Sequence, residues 1–212
     1  MTCPICGKRK AKRFCPAKGE NICSVCCGTE REVTIDCPSY CPYLVASREY
    51  DDQRRQIDWS KIPFSDVHIP IEFAENHAPL VMALVSTIWE YARDHRQVVD
   101  ADAIAALQAL AETYRTLSSG IYYERIPDYL YRRELYQALK ATLEEFKQAE
   151  SQRLGLATTR DSEIRDVLIY LTHSGATREN GRPKSRAFLD LIRAQLGPQA
   201  SEKPAPNIVL LS

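Results

Sequence analysis

Apolar residues recur along most of this chain at the three- and four-residue spacing of an amphipathic helix. No segment shows the sustained alternation that marks a half-buried strand. From Pro79 to about His95, the residues Leu80, Leu84, Ile88 and Tyr91 form one stripe. Asp100 can cap the next helix, in which Ile104, Leu107, Leu110, Ala111 and Tyr114 fall at core spacing before Ser119-Gly120. A third helix is predicted from about Asp128 to Arg153 on Leu135, Leu139, Leu143 and Phe146. Asp161 can cap a fourth, carrying Ile164, Val167, Leu168 and Leu171 and ending at Ser174-Gly175. Ser185 can cap a fifth, carrying Phe188, Leu189, Ile192 and Leu196 and ending at Gly197-Pro198. Residues 79–197 therefore read as an α-helical bundle. A shorter helix is predicted from Pro42 to about Gln56, with Cys41 at its N-cap and Pro42 at its first position.

Outside these segments the pattern breaks. Residues 58–78, with Pro63 and Pro70, read as a linker, and 198–212 as a Pro-rich extended tail ending in Ile208-Val209-Leu210-Leu211. The first 57 residues form a separate module with its C-terminal helix. The expected architecture is mainly α: a small cysteine-rich N-terminal module followed by a helical bundle. At 212 residues, 44% apolar and 26% charged, the chain has room for one sizeable domain and such a module. The longest apolar runs fall far short of the roughly 18 residues of a membrane span. The opening MTCPICGKRK shows no apolar signal segment, so a cytoplasmic, membrane-free protein is expected.

The cysteines change the picture most. All eight, Cys3, Cys6, Cys15, Cys23, Cys26, Cys27, Cys37 and Cys41, lie in the first 41 residues. Cys3-Pro4-Ile5-Cys6-Gly7 has the form of a zinc knuckle: two intervening residues let both thiolates reach one ion, and the glycine permits the tight turn that follows. The set continues as C-x8-C-x7-C-x2-C-C-x9-C-x3-C. Eight thiolates divide evenly into two tetrahedral sites. Cys3, Cys6, Cys23 and Cys26 are expected around one zinc, and Cys15, Cys27, Cys37 and Cys41 around the second. Adjacent side chains at Cys26 and Cys27 point apart if the backbone is locally extended, and the swap of these two is the open alternative. Disulfides suit a secreted chain, and a redox role for the CxxC pairs suits a βαβ setting that this sequence lacks. A catalytic zinc keeps a position open for water. Two four-cysteine sites leave none, so both ions are expected to be structural and the protein non-enzymatic. Residues 1–41 hold few large apolar groups: Ile5, Phe14, Ile22, Val25, Val33 and Ile35. Metal binding supplies the stability that so small a core cannot.

Over about its first 41 residues the chain resembles the interleaved two-zinc modules of the MYND and HIT zinc-finger families. It departs from them in having Cys15 alone where they have a second CxxC, and in lacking a histidine before His68. The wider sequence is similar to an uncharacterised bacterial family. CCGTEREVTIDCPSYCPYL (26–44) and NGRPKSRAFLDLIR (180–193), together with the first knuckle, carry that likeness. It implies a bacterial source and brings no activity.

Net charge is zero overall, but residues 1–31 hold seven Lys/Arg against two Asp/Glu. The run Lys8-Arg9-Lys10-Ala11-Lys12-Arg13 invites a nucleic-acid reading. Across residues 1–41, however, seven basic side chains face four acidic ones. Two zinc ions with eight thiolates add four negative charges, so the loaded module is close to neutral. Tyrosine and arginine interleave in IYYERIPDYLYRRELY (121–136), which suits either base stacking or rings packed between helices. His68, His77, His95 and His173 show no metal-ligand spacing, and no nucleophile elbow, phosphate loop or dinucleotide fingerprint is present. The leading expectation is a protein-interaction or scaffold protein whose partner, or second copy, is held by the zinc module or the 207–212 tail. The main alternative is a nucleic-acid-binding zinc-finger protein using Lys8–Arg13 with Arg178, Arg182, Lys184 and Arg186. A third reading is an enzyme with its site in the helical part.

Overall fold

Local structure begins inside the cysteine-rich segment. Strand β1 (Arg13–Cys15) pairs antiparallel with β2 (Glu20–Ile22), placing Phe14 opposite Asn21. Helix α1 (Ser24–Glu30) follows directly. Neither the hairpin nor α1 is visible in the apolar pattern, because cysteines occupy the inward positions. Cys3, Cys15, Cys23, Cys26 and Cys27 are buried with Ile22 and Ile35 in one small cluster. Helix α2 (Pro42–Arg54) starts as the sequence predicts, with Cys41 at the N-cap and Pro42 in the first turn. The structure, a computed structural model, describes residues 1–118, 120, 123–156 and 158–197.

Residues 58–78 contain a 3-10 turn (Trp59–Lys61) and a short helix, α3 (Ile71–Asn76). Phe64, Val67, Ile69 and Phe73 from this stretch pack against the bundle core.

Five helices then form the bundle: α4 (Ala78–Asp94), α5 (Asp100–Ser118), α6 (Leu130–Leu154), α7 (Asp161–Arg178) and α8 (Ala187–Leu196). α5 lies against both α7 and α6, α4 against α6 and α8, and α8 also reaches α5 and α7. The stripes read from sequence face inward. Leu84, Ile88, Leu107, Leu110, Leu135, Leu139, Leu143, Ile164, Val167, Leu168, Leu189 and Ile192 are buried in a single core. The chain is thus mainly α, with a cysteine-rich N-terminal module.

Four helix-end assignments are corrected. Asp100 and Asp161 are the first residues of α5 and α7 rather than their caps, and Arg160 stands at the N-cap of α7. Gly175 does not end the fourth bundle helix, which continues to Arg178. A Cβ at Gly175 would stand 2.8 Å from Ile104 Cγ1 and 3.1 Å from the Phe188 ring. The glycine is there for the close approach of α5 and α8. Ser185 does not cap α8 directly either. Its hydroxyl donates to Asp100 Oδ2 at 2.8 Å, and Asp100 Oδ1 accepts the Leu189 amide in the first turn of α8 at 3.1 Å. The cap is therefore supplied by a buried carboxylate at the start of α5. Burial pushes that carboxyl up, against the opposing pull of Ser185 and the Leu189 and Phe188 amides.

Among the described residues no helix is long and apolar enough to cross a membrane. The 207–212 tail, with the rest of 198–212, lies outside the described residues, as do residues 121 and 122 of the tyrosine-rich stretch. Of that stretch, Tyr136 is buried, and its hydroxyl donates to Glu124. Tyr131 is half-buried, and Tyr123 and Tyr129 are exposed.

Candidate metal centre

Two knuckles face one another in the module. In the first, the Gly7 amide donates to the Cys3 carbonyl at 2.8 Å, closing a turn that Gly7 completes at φ +62°. In the second, Cys23 is the N-cap of α1, and its sulfur accepts the Cys26 amide at 3.4 Å. The sulfurs of Cys3, Cys6, Cys23 and Cys26 all lie within 4.8 Å of one another, and Cys6 and Cys23 are 3.9 Å apart. A tetrahedral zinc with Zn–S bonds of about 2.3 Å needs sulfurs about 3.8 Å apart. The donor set therefore fits a tetrahedral thiolate metal in number, chemistry and spacing.

The electrostatics agree with that use. The Lys8 and Arg9 amides pull the Cys6 thiol down to about 6. Burial and the neighbouring sulfurs push Cys26 up to about 12. The Cys3 thiol is also lowered, burial being outweighed by its hydrogen bonds, while gathering all four sulfurs as anions needs a cation between them. The N-terminus of α1 adds its partial positive charge at Cys23 and Cys26.

Of the adjacent pair, it is the Cys26 sulfur that joins this group. The two residues are separated by a helical step rather than by an extended one, because α1 runs through both. Cys15, Cys27 and Cys41 are also buried in the module, and Cys37 is half-buried. Burial pushes the Cys37 thiol up, the Glu32 amide pulls it down, and Cys41 and Cys15 push it up again. Cys41 and Cys15 are near enough to Cys37 to act on its thiol. Among the described residues, though, they do not gather within the 4.8 Å that defines the first group.

Glu32 is the residue that sequence reasoning missed. It sits at φ +53°, which is unusual for a side chain of this size, and is 2% exposed. Its carboxylate accepts from Arg48 Nη2 at 2.7 Å and from Asn180 Nδ2 at 2.8 Å, and its carbonyl accepts the Lys184 amide at 2.8 Å. Arg48 also holds Asp190 of α8 at 2.5 Å, and Ser39 donates to the same carboxylate. Arg182 donates to the Gly28 and Arg31 carbonyls, and Lys184 to that of Thr34. Segments 26–44 and 180–193 therefore meet face to face.

The same contacts account for the basic residues of the second half. Arg182 and Lys184 are engaged on the module. Arg178 pairs with Asp52 at 3.1 Å, and Arg186 donates to the carbonyls of Ala92, Arg96 and Val98. In the N-terminal run, Lys8, Arg9, Lys10 and Lys12 are exposed, while Arg13 lies over the Tyr43 ring at 4.7 Å. His68 and His173 share a cleft of about 550 Å³ with Trp59 and Tyr170. There His173 Nε2 lies 2.9 Å from the Pro63 carbonyl. Comparison with protein-family models, curated proteins and solved structures returned no match.

Proposed function

We propose that the chain is a zinc-stabilised protein-interaction scaffold of the bacterial cytoplasm. Two structural zinc ions hold its N-terminal module: one on Cys3, Cys6, Cys23 and Cys26, the other on Cys15, Cys27, Cys37 and Cys41. The observation that carries this reading is where the module's few large apolar side chains point. Of Ile5, Phe14, Ile22, Val25, Val33 and Ile35, only Ile22 and Ile35 are buried, and Phe14 and Val25 are 56% and 46% exposed. A segment whose stability comes from metal does not need those groups inside. Apolar side chains turned to solvent on a rigid module suit a protein partner or a second copy of the chain.

The test has two parts. Elemental analysis of the purified chain should find two zinc ions, and a chelator should remove them with loss of the module's near-ultraviolet signal. One ion per chain, or a spectrum indifferent to chelation, defeats the two-site structural reading. Phe14→Ser with Val25→Ser should then abolish partner capture or self-association while zinc content stays at the wild-type value. Association that survives this change sinks the interaction reading.

A nucleic-acid reading is favoured by one specific observation: Lys8, Arg9, Lys10 and Lys12 are all exposed, and none enters an ion pair among the described residues. It predicts salt-dependent binding to random-sequence nucleic acid that is lost when these four are neutralised.

A further inference from the structure

Beside the Glu32–Arg48 junction, the module and the bundle leave a cleft of about 640 Å³ between them. Its walls come from the β1–β2 turn and the 34–40 segment of the module, from the end of α4 and the connection after it, and from α8. Four cations line it against two carboxylates. Arg186 is already engaged by three backbone carbonyls, and Asp190 by Arg48 and Ser39. That leaves Lys18, Arg96 and Arg193, all exposed and without a carboxylate partner among the described residues, facing Asp36 alone. Arg193 lies over the Trp89 ring, its guanidinium carbon 5.8 Å from the centroid. Tyr40, 76% exposed, opens onto the same cleft.

Three cations drawn from distant parts of the chain repel one another in a shared cleft, and an anionic ligand reverses the sign of that interaction. The type of anion follows from the groups present. Guanidinium forks match phosphate oxygens, and an exposed ring beside cations is a surface on which a base stacks. We propose that this cleft binds single-stranded nucleic acid, with phosphates on Lys18, Arg96 and Arg193 and a base on Tyr40. The residues differ from those of the Lys8–Lys12 run, so the inference stands even if that run contributes nothing.

Binding of fluorescently labelled oligouridylate and oligothymidylate to the zinc-loaded full chain is measured by anisotropy across a salt series. The Lys18→Ala/Arg96→Ala/Arg193→Ala variant should bind with a log–log salt slope shallower by about two, at about 0.7 for each single-strand phosphate contact. Tyr40→Ala should weaken binding about fivefold or more without changing that slope. Zinc content should match wild type in both. The proposal is overturned if the triple variant keeps the wild-type slope, or if polyglutamate competes as well as the oligonucleotides do, which would indicate an acidic protein segment. It is also overturned if the triple variant loses zinc, since the cations would then be counterions of the Cys37 region. Replacing Lys8, Arg9, Lys10 and Lys12 by alanine separates the two readings. Loss of all binding there, with binding intact in the cleft variant, upholds the loop and overturns the cleft; the reverse pattern supports the cleft.

Discussion

Replacing Arg48 by methionine removes the centre of the junction between module and bundle while keeping most of the volume of its stem. The Arg48 side chain is 19% exposed, that of Glu32 is 2% and that of Asp190 is 18%. Without the guanidinium, the Glu32 carboxylate stays in the interior with the Asn180 amide as its remaining side-chain donor. Removing one partner of a buried pair costs about 3–5 kcal/mol. The surviving Asn180 contact and the partial exposure of Asp190 put this case at the low end, about 3 kcal/mol. Glu32→Gln is the milder change, because Arg48 keeps Asp190. It loses one charge-assisted hydrogen bond, about 1.5–3 kcal/mol. In the double variant residue 32 is no longer a buried carboxylate without a cation, although Asp190 still loses Arg48, so it should cost less than the two single changes added together, by about 1 kcal/mol or more. For a chain of this size each kcal/mol moves Tm by about 2–4 °C. Arg48→Met should therefore lower Tm by about 6–12 °C, followed by circular dichroism on metal-loaded protein, and, under the proposed zinc-bound module, should speed release of the metal to a chromophoric chelator. Strict additivity in the double variant, or a smaller loss for Arg48→Met than for Glu32→Gln, would refute the reasoning.

Two further outcomes follow from single features of the bundle. Gly175→Ala gains about 1 kcal/mol of helix propensity. It also drives a methyl to 2.8 Å from Ile104 Cγ1 and 3.1 Å from Phe188, an overpacking that costs about 1–3 kcal/mol. The variant should be destabilised in urea denaturation, and a stabilised Gly175→Ala would show that α5, α7 and α8 are not closely packed there. Glu150 accepts from the hydroxyls and amides of Thr158 and Thr159, led by the Thr158 hydroxyl, and its carboxyl is held down at about 2 from an ordinary 4.5. A depressed carboxyl stabilises the fold above its unfolded value, and that contribution fades as pH falls through the folded one. Glu150→Gln should therefore be less stable than wild type at neutral pH, with the gap in Tm narrowing between about pH 4.5 and pH 2. A gap that does not change with pH would contradict this.

How far the sequence reaches depends on whether each signal is local. Leu80, Leu84 and Ile88, or Leu135, Leu139 and Leu143, announce a helix face because the period and the burial share one cause. The cysteine knuckles are legible for the same reason: ligand spacing is a local geometric demand. Gly175 misleads because one residue type serves both to end a helix and to admit a neighbouring helix, and only the positions of Ile104 and Phe188 tell which. Ser185 misleads because the cap it suggests belongs to Asp100, on another helix. α1 is hidden because its inward residues, Cys26 and Cys27, carry no aliphatic stripe. The Glu32 junction joins polar residues as far apart as Ser39 and Asp190, 151 positions, and one sequence holds no periodicity that could link them.

Glu32 also explains why the cysteine module and the bundle should not be treated as independent. Its amide lowers the Cys37 thiol, its carbonyl accepts the Lys184 amide, and its carboxylate accepts from Arg48 and Asn180. A backbone held at φ +53° costs a non-glycine residue about 1–2 kcal/mol, so the surroundings must hold it there from several sides. A metal bound at Cys37, as proposed, would fix one of those sides, and Arg48 with the 180–190 segment of the bundle fixes the others. Linkage is reciprocal: whatever free energy the metal lends to docking, docking lends to metal retention. If the coupling were complete, the roughly 3 kcal/mol assigned to Arg48 would appear as about a 150-fold change in zinc affinity at the Cys37 region. The group of Cys3, Cys6, Cys23 and Cys26, whose sulfurs take no hydrogen bond from the bundle among the described residues, would keep its own. Under the two-ion proposal, unequal loss of the ions in Arg48→Met is therefore the signature that distinguishes a coupled module from one merely tethered by α2.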